Sequence, residues 1–274
     1  MSTPTHAPTR TRTRGHALTD TATLLRRNLR HTLRYPSMTL GSVFGPVIML
    51  LLFVGVLGRT LGSGLAAAGG HHRGGYVDYI APGIIIMAVA SGSMATAVAV
   101  CVDMTEGIVD RFRTMPIARG SILTAHVVNS VITTVASTAS VIAVAMLLGF
   151  RPTAGLAAWT AAAGLLLLLT FALTWLAVAI GLVSPTPEAA SNSPMLIVFL
   201  PFVGSAFAPA GSMPPGIRQF AEYQPFTPVI ETVRGLLTGT PIGHNGVIAI
   251  AWCIAIAVGG YFWARAGFTS HRAR

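Results

Sequence analysis

Residues 103–119, DMTEGIVDRFRTMPIAR, form a short polar segment between two long apolar runs. Asp103 is placed to cap a helix, and Glu106 follows three residues later, as in a capping box. Pro116 ends the helix. The segment therefore predicts a short amphipathic helix in a loop that joins two membrane spans. Because an isolated helix of this length is marginal in water, we expect it to dock against another surface.

The two faces of this predicted helix differ in chemical character. Apolar side chains recur at a helical spacing and share one side: Met104, Ile108, Phe112 and Met115. Charged side chains fall on another side: Asp103, Glu106, Asp110 and Arg113. The apolar side indicates contact with a partner protein. The alternatives are a solvated loop helix and a helix that lies on the lipid surface.

Composition places the chain in a membrane. Of its 274 residues, 53% are hydrophobic and 9% are charged, and the mean hydropathy is +0.68. These values are those of an integral membrane protein. The net charge of +10 comes from 18 arginines, and lysine is absent. With so few acids, the basic excess favours anchoring at the inner leaflet over binding to nucleic acid.

Six apolar stretches follow a basic leader. Residues 1–17 contain almost nothing apolar and are expected to be disordered. Residues 18–36 combine a leucine repeat with four arginines, which predicts an amphipathic helix on the membrane surface. The transmembrane domain, 38–267, is followed by a short tail, 268–274. Its spans are predicted at 38–58, 79–101, 122–150, 156–183, 195–210 and 247–264.

The arginines orient these spans. Thirteen lie in the N-terminal arm, the 103–121 loop and the C-terminal end, and five lie in the remaining loops. By the positive-inside rule both termini and the 103–121 loop face the cytoplasm of a bacterial plasma membrane. The fifth span is short and carries Pro201 and Pro209, so we expect it to be kinked or re-entrant.

Span interiors lack charge, and this narrows the function. A charge at the membrane centre costs about 2.5–3.5 kcal/mol, so it is usually kept for a task such as proton relay. Its absence argues against a proton-coupled carrier.

Cys101 and Cys253 lie at different predicted depths, so no disulfide is expected. Cysteine and histidine show no zinc spacing, so neither a metal site nor another cofactor is predicted in this chain.

A second informative segment, residues 214–238, precedes the last span. Its prolines forbid one continuous helix, while its apolar side chains need a place to lie, so it predicts two short helices at the outer interface. Glu231 and Arg234 are three residues apart and are expected to pair on the wet side, with little effect on stability. We expect this arm to border the exit of a pathway. Its candidate site residues are Tyr223, Pro225, Pro228, Glu231 and Arg234.

These features together resemble the ABC-2 type permeases. The segments EGIVDRFRTMPIAR and YQPFTPVIETVRGLL are most similar to the daunorubicin-resistance (DrrB-like) branch of that family. The resemblance implies an all-α membrane fold and the export of drugs, lipids or glycans. It also implies that the 103–116 helix is the coupling helix that touches a separate ATPase. By position that role falls on Glu106, Gly107, Asp110, Arg111, Arg113 and Pro116.

The residues themselves also favour an ATPase on a separate polypeptide. A P-loop needs a lysine, and none is present, so ATP and Mg²⁺ are expected on two copies of a partner ATPase. Six spans per chain imply a second permease copy, with a homodimer as the simplest case. Two other classes stay open. An ion-coupled secondary transporter would show mid-membrane ionisable groups, and a membrane enzyme would use the few candidates Glu222, Tyr223, Glu231 and His244.

Overall fold

The computed structural model describes residues 36–60, 75–105 and 119–270, and all regular structure in these ranges is helical. This confirms the all-α class. A π-helical turn, Leu52–Val56, extends the first helix, and a 3₁₀ turn, Ala210–Ser212, precedes the seventh. The α-helices are α1 Pro36–Leu51, α2 Tyr76–Thr105, α3 Arg119–Leu147, α4 Leu156–Val183, α5 Pro187–Asn192, α6 Met195–Val203, α7 Ile217–Tyr223, α8 Phe226–Thr238 and α9 Asn245–Ser270.

Four of these helices, α2, α3, α4 and α9, are long and apolar enough to cross a membrane. The helix α6 has 9 residues, which at about 1.5 Å per residue cannot cross a ~30 Å hydrocarbon core. It ends at Val203 and is followed by a turn, so the predicted fifth span is interrupted well before Pro209. The count of six spans stays a prediction.

The helix α2 lies at the centre of the bundle. Its side chains are buried around almost the whole circumference, as expected for a helix that neighbours enclose. The helices α1, α3, α4 and α8 all pack against it. The helix α9 contacts α4 along its length and leaves most of its apolar side chains exposed, as a lipid-facing helix does.

Close approach of helix backbones holds the bundle together. A Cβ added to Gly181 would lie 2.5 Å from the carbonyl oxygen of Ala97, and one added to Gly260 would lie 2.7 Å from the amide nitrogen of Leu176. Gly92 of α2 similarly leaves room for a side chain of α3. A small residue at this position lets the two helices approach closely.

The bundle has two ends, which carry different contacts. At the arm end, the amide of Arg151 donates to the Asp78 carboxylate and the amide of Thr153 donates to the carbonyl of Leu237. At the opposite loop end, Cys101 Sγ lies 3.5 Å from the carbonyl oxygen of Ser184. Cys101 and Cys253 are both buried and unbridged.

Several predicted segments lie outside the described residues. These are the tail 1–17, all but the last residue of the helix 18–36, and the part of the 103–116 helix that follows Thr105. The predicted C-terminal tail begins later than expected, because α9 continues to Ser270.

Candidate functional site

The arm, residues 214–238, folds into α7 and α8 and forms most of the candidate site. The predicted pair of short helices is therefore confirmed. Pro225 stands at the N-cap of α8, and Gly239 ends the helix in the left-handed region with φ 75°. Pro228 lies in the first turn of α8, where a proline is tolerated, so it does not break the helix.

One face of α8 is fully enclosed by the bundle. The apolar side chains on this face are all at most 2% exposed: Phe226, Val229, Ile230, Val233 and Leu237. They pack against α2, α4 and α9. Their spacing is that of one helical stripe, so burial of the stripe folds the arm back onto the bundle.

Arg234 lies on this enclosed side and is only 3% exposed. Its Nη2 donates to the carbonyl oxygen of Ser205 at 2.6 Å, and its Nε donates to the carbonyl oxygen of Tyr79 at 3.2 Å. Its Nη1 lies 2.5 Å from Glu231 Oε1. The guanidinium carbon stands 3.9 Å from the centre of the Tyr79 ring. We call these four residues, Tyr79, Ser205, Glu231 and Arg234, the Arg234 clasp.

The clasp corrects a sequence prediction. Glu231 and Arg234 do pair, but the pair is not on a wet side, because Arg234 is buried and Glu231 is 33% exposed. The burial of Arg234 contradicts the predicted exposed position of the pair, and we now expect loss of the pair to lower stability. A buried guanidinium must be paired and hydrogen-bonded to be tolerated, and the clasp meets that condition.

The clasp joins three separate segments of the chain. Tyr79 belongs to the first turn of α2, Ser205 to the turn after α6, and Arg234 to α8. The Tyr79 hydroxyl also donates to the Ser205 carbonyl oxygen, at 3.1 Å. In addition, a Cβ on Gly83 would lie 2.6 Å from the Cβ of Ala206, so a glycine is needed where α2 meets this turn.

Asp78 provides a second anchor at the arm end. It is 5% exposed, and its Oδ1 accepts the amide of Arg151 at 3.2 Å, which ties the α3–α4 loop to the start of α2. Sequence reasoning missed Asp78, Tyr79 and Ser205. Asp78 could have been noticed as an acidic residue directly before the predicted second span. Nothing in the sequence near Ser205 marks it as a site residue.

The remaining predicted arm residues lie apart from the clasp. Tyr223, at the end of α7, is 78% exposed. On the same helix Arg218 Nε lies 2.7 Å from Glu222 Oε1, and both side chains are about half exposed. The hydrogen bond to Glu222 raises the pKa of Arg218 above its usual value. This exposed ion pair, unlike the clasp, is expected to contribute little to the stability of the fold.

At the loop end, Asp103 lies in the last turn of α2 and not at the start of a new helix. The predicted N-cap role of Asp103 is therefore wrong. Its Oδ2 lies 2.9 Å from Nε2 of His126 on α3, and His126 is 8% exposed. The pair joins the two helices that flank residues 106–118. Local sequence does not mark this pairing, because Asp103 and His126 are 23 residues apart in the chain.

Met104 also has a different neighbour from the one predicted. It packs against a small apolar cluster of the bundle that includes Val127 and Leu182, whereas the sequence placed it on a partner-facing stripe. The other predicted coupling residues lie outside the described residues: Glu106, Gly107, Ile108, Asp110, Arg111, Phe112, Arg113 and Pro116.

The short helix α5 lies near this loop end and packs against α2. Thr186 caps it by accepting the amide of Ala189, at 3.3 Å. The backbone N–H of Glu188 and then the Thr186 hydroxyl hold the pKa of the exposed Glu188 carboxyl below its usual range. Across the described ranges, no three histidine, cysteine or acidic side chains gather as a metal site would require.

Comparison with known proteins gives the family. The family model described as "ABC-2 type transporter" matches residues 19–238. The daunorubicin resistance ABC transporter permease protein DrrB1 of Streptomyces coeruleorubidus is 26% identical over 228 residues, covering 83% of this chain and 78% of that protein. The probable doxorubicin resistance ABC transporter permease protein DrrC of Mycobacterium tuberculosis is 25% identical over 217 residues, covering 79% of this chain and 78% of that protein. Because this family model matches most of the chain, the chain belongs to the ABC-2 type transporter family.

Proposed function

We propose that this chain is the membrane-spanning permease subunit of an ATP-driven exporter that expels hydrophobic drug-like or lipid-like molecules. The observation that carries the proposal is the family match over residues 19–238, which includes α1 to α8. The relatives named above are resistance permeases for daunorubicin and doxorubicin, which supports a drug as cargo. The chain itself is the transport subunit and not an enzyme.

The energy source is a separate pair of ATPase subunits, which bind ATP and Mg²⁺. A P-loop places a lysine on the β- and γ-phosphates, and the 274 residues of this chain contain none. Two permease copies complete the transporter, with a homodimer as the simplest arrangement. The membrane is the bacterial plasma membrane with both termini in the cytoplasm, as the distribution of arginines favours, and the chain crosses it six times.

The contact with the ATPase is the segment 103–116. The Asp103–His126 pair joins α2 and α3, the helices that flank this segment, at the ends nearest to it. A displacement of the segment is therefore transmitted to both helices. The predicted apolar stripe, without Met104, consists of Ile108, Phe112 and Met115 and meets a groove on the partner. The arm lies at the opposite end of the bundle, where it borders the exit.

The direct test is reconstitution of the permease with its partner ATPase in vesicles. We expect ATP-dependent movement of daunorubicin, and none when the ATPase carries a Walker lysine substitution. The isolated permease is expected to hydrolyse no ATP. Movement driven by an ion gradient without ATP would instead assign the chain to the secondary transporters.

The coupling contact is tested with Phe112→Asp, which puts a charge on the stripe. The variant is expected to reach the membrane but to lose ATPase co-purification and transport. Asn192→Asp, at the exposed end of α5 near the same loop end, is the control for added charge outside the 103–116 segment. Unchanged co-purification in Phe112→Asp would favour a helix that lies on lipid.

A further inference from the structure

Four polar side chains of α3 lie at regular four-residue intervals along one face of the helix. We call them the α3 ladder, and each is at most 8% exposed: His126, Ser130, Thr134 and Thr138. Residues four apart in an α-helix lie above one another, one turn apart. The ladder is therefore a row of buried hydrogen-bonding groups that runs from the loop end toward the arm end.

The two members of the ladder nearest the loop end are paired with α2. His126 Nε2 lies 2.9 Å from Asp103 Oδ2. Thr96 Oγ1 donates to Ser130 Oγ at 2.7 Å. Hydrogen bonds of this kind between membrane helices fix how far one helix stands along the other.

The other two members are unpaired. Thr134 Oγ1 and Thr138 Oγ1 make no hydrogen bond to any of the described residues, although both side chains are buried. Thr134 lies against Gly92 of α2, where a Cβ would stand 2.8 Å from Thr134 Oγ1. A glycine offers no side chain to pair with this hydroxyl. Buried hydroxyls without a partner are costly and uncommon in native structures, so this arrangement of α2 and α3 leaves hydrogen bonds unmade.

A movement of α3 by one turn would replace each member of the ladder with the next one. Four residues of an α-helix measure about 6 Å along its axis. After a shift of that length toward the loop end, Thr134 takes the place of Ser130 beside Thr96. Ser130 in turn takes the place of His126 beside Asp103. Both new contacts satisfy hydrogen bonds, because a hydroxyl group donates and accepts.

The packing around the ladder also repeats at this interval. Gly92 would meet Thr138 instead of Thr134, which is a side chain of the same type. Beside the ladder, the buried Val127 would be replaced by Val131, and both belong to the same small apolar cluster. Closely packed helices switch between discrete arrangements, and shifts by one helical turn are among them. The contact between α2 and α3 therefore fits in two positions.

The arm end of α3 can supply the length that this movement needs. Met146 and Leu147, in the last turn, are 52% and 86% exposed, so few contacts hold the turn. Unwinding four residues from helix to extended chain lengthens the backbone by about 7 Å. The α3–α4 loop can thus stay attached at Arg151 to Asp78 while α3 moves.

We infer that α2 and α3 have two registers one helical turn apart and that the structure holds the first of them. The Asp103–His126 pair is the latch of this first register, because His126 moves beyond Asp103 in the second. The two registers are a property of this chain. Their control by ATP rests on the proposed function, in which the ATPase contacts residues 103–116 and displaces the start of α3.

Disulfide trapping distinguishes the registers, in permease that also carries Cys101→Ala and Cys253→Ala. Thr96→Cys with Ser130→Cys reports the first register, and Thr96→Cys with Thr134→Cys reports the second. Each pair is selective, because a disulfide forms only when the two Cα atoms lie within about 7 Å. Trypsin cleaves after the arginines of residues 103–119, so a chain with the disulfide keeps its two halves together on a non-reducing gel.

The latch is tested in isolated permease, without the ATPase. His126→Ala removes a contact that is made only in the first register, and His126→Leu does so while it keeps the volume of the side chain. Each is expected to raise the yield of the second pair about tenfold, as a change from a minor to a major population requires. Thr96→Cys with Thr133→Cys is the matched control. Thr133 is next to Thr134 but on another face of α3, where its hydroxyl donates to the Asn129 carbonyl oxygen.

The coupling to ATP is tested in vesicles that contain the permease and its partner ATPase. With His126 intact, ATP is expected to raise the yield of the Thr96–Thr134 disulfide and to lower that of the Thr96–Ser130 disulfide. No increase of the second pair with either His126 variant would overturn the two registers. A disulfide to Thr133 instead of Thr134 would also overturn them, because α3 would then rotate and not slide. An increase with the His126 variants but none with ATP would reject the proposed coupling and retain the two registers.

Discussion

The Arg234 clasp supports a quantitative prediction about stability. Arg234→Ala removes two hydrogen bonds to carbonyl oxygens, the pair with Glu231 and the contact with the Tyr79 ring. Breaking a buried ion pair by removing one partner costs about 3–5 kcal/mol. The Ser205 carbonyl keeps the Tyr79 hydroxyl as a donor, which places the expected loss of unfolding free energy toward the lower figure.

Two further variants of the clasp test its parts. Arg234→Lys keeps the positive charge but lacks the planar guanidinium group that contacts three acceptors. We therefore expect a loss of unfolding free energy that is smaller than for Arg234→Ala but greater than zero. Glu231→Gln keeps an acceptor at a position that is one-third exposed, so solvent screening reduces its cost to about 1 kcal/mol.

The assay is unfolding of purified permease in mixed micelles with increasing SDS, followed by circular dichroism. Arg218→Ala is the matched control, because it removes the same charge from the exposed pair on α7 and is expected to cause no measurable change. If Arg234→Ala unfolds at the same SDS fraction as Arg218→Ala, the clasp does not hold the arm. In that case the assignment of stability to buried polar contacts is refuted.

Three other predictions concern the packing at Gly83, the hydrogen bond of Asp78 and the topology of the chain. Gly83→Ala puts a methyl group against the turn after α6 and is expected to lower folded yield and stability, whereas Gly45→Ala, with open space around it, is expected to be neutral or stabilising. Asp78→Ala removes the acceptor of a buried loop amide and is expected to lower the unfolding free energy by about 1–3 kcal/mol, measured by the same SDS titration. For topology, an impermeant thiol reagent on intact cells is expected to label Gly70→Cys and not Ser270→Cys; the reverse pattern would invert the proposed orientation.

The features that could be predicted from sequence are those set by local composition. Long apolar stretches without charge must be helical in a membrane, because no water satisfies their backbone groups there. The break of the arm into two helices was also readable, since Pro225 cannot lie inside a continuing helix. Helix ends were less certain: the polar Asp103 looked like the start of a new helix, yet α2 carries it because His126 supplies a partner.

Membrane residence, the helical class and the Glu231–Arg234 pairing could be predicted from sequence, because each depends on residues within a few turns of one another. The buried side of the arm could not, because it depends on long-range packing. Arg234 meets Ser205, 29 residues away, and Tyr79, 155 residues away, and no local pattern records either contact. The buried side is set by the total free energy of packing against α2, α4 and α9. This packing buries Arg234, which the sequence analysis placed on the wet side, so the ion pair anchors the arm to the bundle.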